Sequence, residues 1–308
     1  MKRQTKGYLM VAVAGTLWGT TGIQVKTLFN FQISVQTIIL WKMIFAFLLL
    51  FPFLFFTNRK ILKVDLKGLI YISLLGIIVH IFSLLLYFGA IQKTSIATAA
   101  TLLYTAPIFI AIMAKIFYKE RFGPFKIAAL LLCIGGCFFA ATGGSLATLD
   151  LNLLGVLIGL GAGFTFALLT IISKALINDY HQLTITIYSI IFGLLFYFPF
   201  SNPWLIFQID FNLNIWLLLC SLGLFSTALA YGLYIIGLSY NIEASKAGIV
   251  STLELVVSVI LSYLVFKEAL WGWKLVGILI VVFSVIIVQV DKILSFNNKL
   301  SYNKMLNP

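Results

Sequence analysis

Residues 248–266 read GIVSTLELVVSVILSYLVF, an apolar run long enough to cross a bilayer with a carboxylate, Glu254, well inside its ends. Inserting an ionised acid at a helix centre costs about 2.5–3.5 kcal/mol. Protonating an ordinary carboxyl at neutral pH costs about 4 kcal/mol. The penalties are comparable, so the group is poised between charged and neutral and should face protein or a wet cavity. Exchange of a proton, or pairing with a cation, needs such a group. The blander use is a protonated acid that pins its helix to a neighbour.

Other polar side chains lie at similar depth. His80 is the only histidine inside an apolar run, and Ser83, Leu84 and Tyr87 share its helical face. Such a histidine is as often a helix–helix hydrogen bond as a cavity lining. Tyr104 precedes Pro107, and a proline there can open the helix and free carbonyls towards a cavity. Trp18 lies among Thr16, Gly19, Thr20 and Thr21, unlike a lipid-facing tryptophan at a helix end. Aromatic faces around a carboxylate suit a cationic or zwitterionic solute, through cation–π attraction and charge pairing. An amino acid, an amine or a quaternary ammonium compound such as choline has that chemistry.

The elements that hold these residues follow from composition. Of 308 residues, 62% are hydrophobic and 10% charged, against about 45–50% and about 25% in a soluble domain. A soluble fold could not hide that much apolar surface, so the chain is an integral membrane protein. The net charge of +12 lies almost wholly between apolar runs, which leaves no solvated basic face for nucleic acid. Cys133, Cys137 and Cys220 fall inside apolar runs without metal-ligand neighbours. Neither a disulfide framework nor zinc is implied. The basic-then-apolar start reads as an uncleaved first helix rather than a signal peptide.

Ten spans can be marked off, at about 8–28, 35–56, 68–91, 96–118, 126–144, 153–173, 183–200, 215–238, 247–266 and 274–290. Lipid cannot satisfy backbone N–H and C=O groups, so each must be a helix and the fold class is all-α. With a cytoplasmic N-terminus, fifteen basic residues fall on that side and only Lys93, Lys267 and Lys274 on the other. Both termini are therefore expected in the cytoplasm. Lys26, Lys115 and Lys174 lie near span ends, where they can snorkel; Lys42 lies deeper. Gly135 and Gly136 in span 5 suggest close helix packing.

The chain also resembles itself. LYFGAIQKTSIATAATLLYTAPIFIAIMAKIFYKERFG, from Leu86, lines up with LYIIGLSYNIEASKAGIVSTLELVVSVILSYLVFKEALWG, from Leu233, at an offset of 147 or 148 residues. The offset sets Thr227, Tyr231 and Tyr234 of span 8 against the His80 face of span 3, and Ser251 against Tyr104. A weaker match lays Gly163 on Gly15 and Phe166 on Trp18. Five spans per copy is an odd number, so the second copy is upside down. Inverted repeats are the architecture of secondary transporters, with the solute site at the repeat interface near mid-membrane. The expected units are residues 1–148, a first five-helix repeat; 149–290, a second, inverted one; and a cytoplasmic tail, 291–308.

With these features the chain resembles the drug/metabolite transporter superfamily, specifically its EamA-type members. The resemblance rests on LWGTTG in span 1, Lys42 in LWKMIFAFLLL of span 2, LLYTAPIFIAIMAKIFYKE in span 4 and STLELVVSVILSYLVFKE in span 9. It implies ten helices around a central cavity lined mainly by spans 1, 3, 4, 6, 8 and 9, with no cofactor and no ATP. The family often has proline straight after the span-9 glutamate. This chain has Leu255, which removes the sequence basis for a kink mirroring Pro107.

The expected function is a secondary active transporter of a small organic metabolite in the inner membrane, working by alternating access as a monomer or homodimer. Glu254 is the candidate for proton coupling. Trp18, His80, Tyr87, Tyr104, Phe166, Thr227, Tyr231, Tyr234, Ser251 and Glu254 are the candidate solute-binding residues. A membrane enzyme, for instance one that modifies lipid, would want clustered His, Asp or Glu near a membrane surface, and no such cluster occurs in the sequence. A passive channel would want a ring of charges or a filter-like sequence.

Overall fold

A computed structural model describes residues 2–149, 152–208, 212–267 and 270–306. Among the described residues every regular element is helical. Eight helices among these residues are long and apolar enough to cross a membrane: Val35–Thr57, Leu66–Lys93, Ile96–Phe117, Pro124–Thr142, Leu153–Leu176, Gln182–Phe200, Leu213–Leu238 and Ala244–Phe266. These are spans 2 to 9. Span 1 is interrupted at Thr20, as Lys2–Gly19 followed by Thr21–Asn30, and its leading helix carries Arg3 and Lys6. Span 10 is the apolar head, Trp273–Gln289, of a helix that continues to Leu306. The side chains of the 291–308 tail lie outside the described residues.

Helices this apolar are delimited by their caps rather than by an amphipathic stripe. Ser34, Asp65, Ser95 and Asn152 each stand at a helix start and accept the backbone N–H of Thr37, Gly68, Thr98 and Gly155. Gly143, at φ 65°, ends span 5.

Spans 4 and 9 are each two helices end to end. Span 4 breaks at Tyr104–Thr105, between Ile96–Leu103 and Ala106–Phe117. Pro107 has no N–H to offer the Leu103 carbonyl. Span 9 breaks at Thr252, between Ala244–Ser251 and Leu253–Phe266, without a proline. Here hydroxyls bend the chain: Ser251 Oγ donates to Gly248 O at 2.9 Å and Thr252 Oγ1 to Ile249 O at 2.6 Å. The kink falls where the 147-residue offset puts the break of span 4. Spans 3 and 8 match in the same way, each with a π-helical stretch, Ile78–Phe82 and Leu222–Leu229.

Packing exchanges partners between the repeats. Span 1 packs on spans 8 and 9, as span 6 packs on spans 3 and 4; span 2 packs on span 8, as span 7 packs on span 3. The outcome is two bundles, spans 1, 2, 8 and 9 and spans 3, 4, 6 and 7, each drawing on both repeats. Spans 5 and 10 form a separate seam. A Cβ on Gly136 would lie 2.9 Å from Gly277 O, and one on Gly277 2.7 Å from Gly136 O, so the backbones touch. Gly135 meets nothing within 4 Å, so the close approach rests on Gly136 and not on the pair.

Candidate functional site

The glycines of span 1 bring its backbone onto the break of span 9. A Cβ on Gly15 would lie 2.9 Å from Ser251 O, and one on Gly19 2.7 Å from Glu254 O. On the other side, a Cβ on Gly163 of span 6 would lie 2.8 Å from Leu102 O, at the break of span 4. Gly15 and Gly163 are counterparts in the repeat, so the weak sequence match has a structural basis.

Other counterparts meet each other. Trp18 and Phe166 pack edge to face, with ring centroids 6.0 Å apart. Tyr104 and Ser251 line one small cavity, together with Pro107, Phe166 and Glu254. Residues that touch their own symmetry mates lie beside the axis relating the copies. Glu254 therefore sits close to that axis.

Glu254 occupies the first turn of Leu253–Phe266, where a helix N-terminus favours negative charge. It is half-buried, and no hydrogen bond or ion pair holds its carboxylate among the described residues. Tyr87, Tyr104 and Tyr231, all half-buried, lie within its electrostatic reach. The cavity beside it measures about 10 Å³, room for a single water. Solute pockets are typically about 300–1,000 Å³, so this cavity is far too small to hold a solute. A larger recess of about 500 Å³, lined by Arg3, Lys6, Gln182 and Tyr240, shares no residue with this cavity.

An aromatic chain leads away from the acid. Trp18 contacts Tyr231 and Tyr234 at 5.1 and 5.2 Å between ring centroids, and His80 lies 4.6 Å from the Tyr231 ring. Among the described residues His80 is buried, with Nε2 at 3.4 Å from Ser189 Oγ and Nδ1 without a partner. Trp18 Nε1 is likewise buried and unbonded. Tyr234 is buried, and its hydroxyl shares a 2.6 Å bond with Thr170. Thr227 stands apart: it is buried, and its hydroxyl donates to Leu222 O at 3.0 Å within its own π-helical turn. Lys42 is half-buried and acts electrostatically on His80.

Sequence reasoning missed a charged cluster at the end of the bundle that carries the N-terminus. Glu120, in the link after span 4, accepts from Lys174 Nζ at 3.1 Å and from Ala244 N at 2.6 Å, and also from the Ser245 hydroxyl. Lys126 pairs with Glu243 and approaches Glu120 at 3.8 Å, while Lys246 lies 3.8 Å from Glu243. Lys174 therefore does not snorkel; its ammonium is held by Glu120 and by Ile242 O at 2.9 Å. Burial alone would push the Glu120 carboxyl up. The Ser245 hydroxyl, the Lys174 charge and the Ala244 N–H outweigh it and hold the group below its ordinary value.

Broken helices that meet at the interface of two inverted repeats, around a half-buried intramembrane acid, define a multi-pass membrane transporter. The EamA-like transporter family matches this chain twice, over residues 5–142 and 153–290, and the chain belongs to that family. Its relatives carry transporter names. The uncharacterized inner membrane transporter YicL of Salmonella typhimurium is 28% identical over 93% of this chain and 96% of its own length. An uncharacterized transporter of Archaeoglobus fulgidus is 26% identical over 88% and 92%. The uncharacterized transporter YetK of Bacillus subtilis is 26% identical over 95% and 89%. A solved crystal structure superposes with a TM-score of 0.74 over 93% of this chain and 97% of that one, at 16% identity, which speaks to the fold alone.

Proposed function

We propose that this chain is a secondary active transporter of a small organic solute carrying an ammonium group, an amino acid, an amine or a quaternary ammonium compound such as choline. It works in the inner membrane by alternating access, with both termini in the cytoplasm. Glu254 either exchanges a proton or pairs with the solute's charge. The observation that carries this reading is the Glu254 carboxylate itself: inside the membrane, half-buried, without a partner among the described residues, and beside a helix break in each repeat. A structural acid would be bonded to a neighbouring helix. The tyrosines within its reach supply faces for an ammonium group.

The test is solute flux into proteoliposomes, with and without a pH gradient, for the parent chain and Glu254→Gln. Saturable uptake of an ammonium solute is expected in the parent. In the variant, transport should vanish or stop responding to pH while the protein remains folded. Unchanged pH-dependent uptake by Glu254→Gln would remove the acid from the mechanism.

A further inference from the structure

The Glu120 cluster joins the two bundles. Glu120 follows span 4 and Lys174 ends span 6, in one bundle; Ala244 and Ser245 begin span 9, in the other. The short helix between that junction and the break, Ala244–Ser251, is buried at every residue. Beyond the break only Leu255 and Val256 are buried. Glu120 thus holds the N-terminal end of a rigid rod whose other end adjoins Glu254.

The repeat places a matching arrangement at the opposite end. Lys174 Nζ lies over the Tyr118 ring at 5.0 Å, and Lys26 Nζ over the Phe266 ring at 4.2 Å. Lys26 and Lys174 are 148 residues apart, as are Tyr118 and Phe266. The next residues, Lys119 and Lys267, both take left-handed backbone, at φ 52° and 56°. Two non-glycine residues sharing so uncommon a conformation mark one local structure used twice. In sequence each is followed by a glutamate, Glu120 and Glu268; the second lies outside the described residues.

We infer that the Glu120 arrangement is a gate of the transport path: Glu120 with Lys174 latches the N-terminal end by gripping the start of span 9, whereas the Lys26–Phe266 contact joins spans 1 and 9 of one bundle. The inference rests on the alternating access proposed above. The Glu120 latch crosses between bundles, so the N-terminal end cannot part without breaking it. A buried charge left without its partner is strongly disfavoured, which makes the latch close all-or-none. Glu120 is a positioning residue here; it does not touch solute.

The experiment reads which face of the membrane can reach the site. Ser251→Cys, in a chain whose three native cysteines are replaced, is labelled with a membrane-impermeant maleimide in right-side-out and inside-out vesicles. Glu120→Gln is expected to raise the labelling rate from the N-terminal face about tenfold or more, without raising it from the other face. Should Glu120→Gln fail to fold, Ser245→Ala weakens the same grip and carries the same expectation. Equal rates in the parent and a folded Glu120→Gln or Ser245→Ala variant overturn the gate, as does a rise from both faces together, the mark of general loosening. The labelling needs no solute. Absent face selectivity with intact flux sinks the gate and spares the Glu254 reading; face selectivity without saturable flux does the opposite.

Discussion

Trp18 and Phe166 hold the same place in the two repeats and touch each other, edge to face at 6.0 Å. A pair of counterparts in contact marks the pseudo-twofold axis. Trp18 also carries the Tyr231 and Tyr234 rings. These three rings belong to one bundle, and Trp18 is the member of the group that reaches Phe166 in the other.

The approach of span 1 to span 9 is steric and can be tested sterically. Gly19→Val would drive a side chain into Glu254 O and Val257. A loss of about 1–3 kcal/mol is expected from overpacking, read as a lowered thermal midpoint in detergent. Gly136→Ala should also destabilise, by meeting Gly277 O. Gly135→Ala, with nothing within 4 Å, should gain about 0.5–1 kcal/mol from helix propensity. The same sign for both alanine variants would mean that the seam is not a backbone contact.

Tyr234 and Thr170 form a buried hydrogen-bonded pair. Tyr234→Phe strands the Thr170 hydroxyl and should lose about 1–3 kcal/mol. Adding Thr170→Val removes the stranded group, so the double variant should lose less than the sum of the singles. Strict additivity in the thermal midpoints would deny the bond.

Acid should weaken the Glu120 latch. A carboxyl held below its ordinary 4.5 contributes stability that is present above that pH and lost as pH falls through the lowered value. Thermal midpoints taken from pH 7 to pH 3 should fall more steeply in the parent than in Glu120→Gln. Parallel curves would show that the carboxylate is not held there.

Tyr231 separates ring face from hydroxyl. For an ammonium solute, Tyr231→Phe keeps the π surface and should leave half-saturation within about twofold. Tyr231→Leu should raise it about tenfold, the size of a partly desolvated cation–π contact. Similar losses in both variants would assign the effect to the hydroxyl.

Much of the frame is legible from the sequence. The apolar runs mark the helices, because lipid leaves the backbone no alternative. The 147-residue offset pairs Tyr104 with Ser251, and both line the cavity beside Glu254. The break at Thr252 was not legible, since serine and threonine hydroxyls bend a helix only where they turn back on their own carbonyls. The π-helical turns of spans 3 and 8 carry no residue signature that would reveal them. The Glu120 cluster stayed hidden for a different reason. Its partners Lys174 and Ser245 are 54 and 125 residues away, and a lysine at a span end looks the same whether it faces headgroups or an acid. The bundles, too, cut across the repeats, because each span 1 or 6 packs on the opposite copy.

The seam of spans 5 and 10 has a mechanical meaning. Where Gly136 and Gly277 rest backbone against backbone, no side chain intervenes that could reorient to absorb a shift. Such a joint tolerates rolling far better than sliding or widening. Spans 5 and 10 are thereby fixed at a single separation, one that any larger residue at either position would widen.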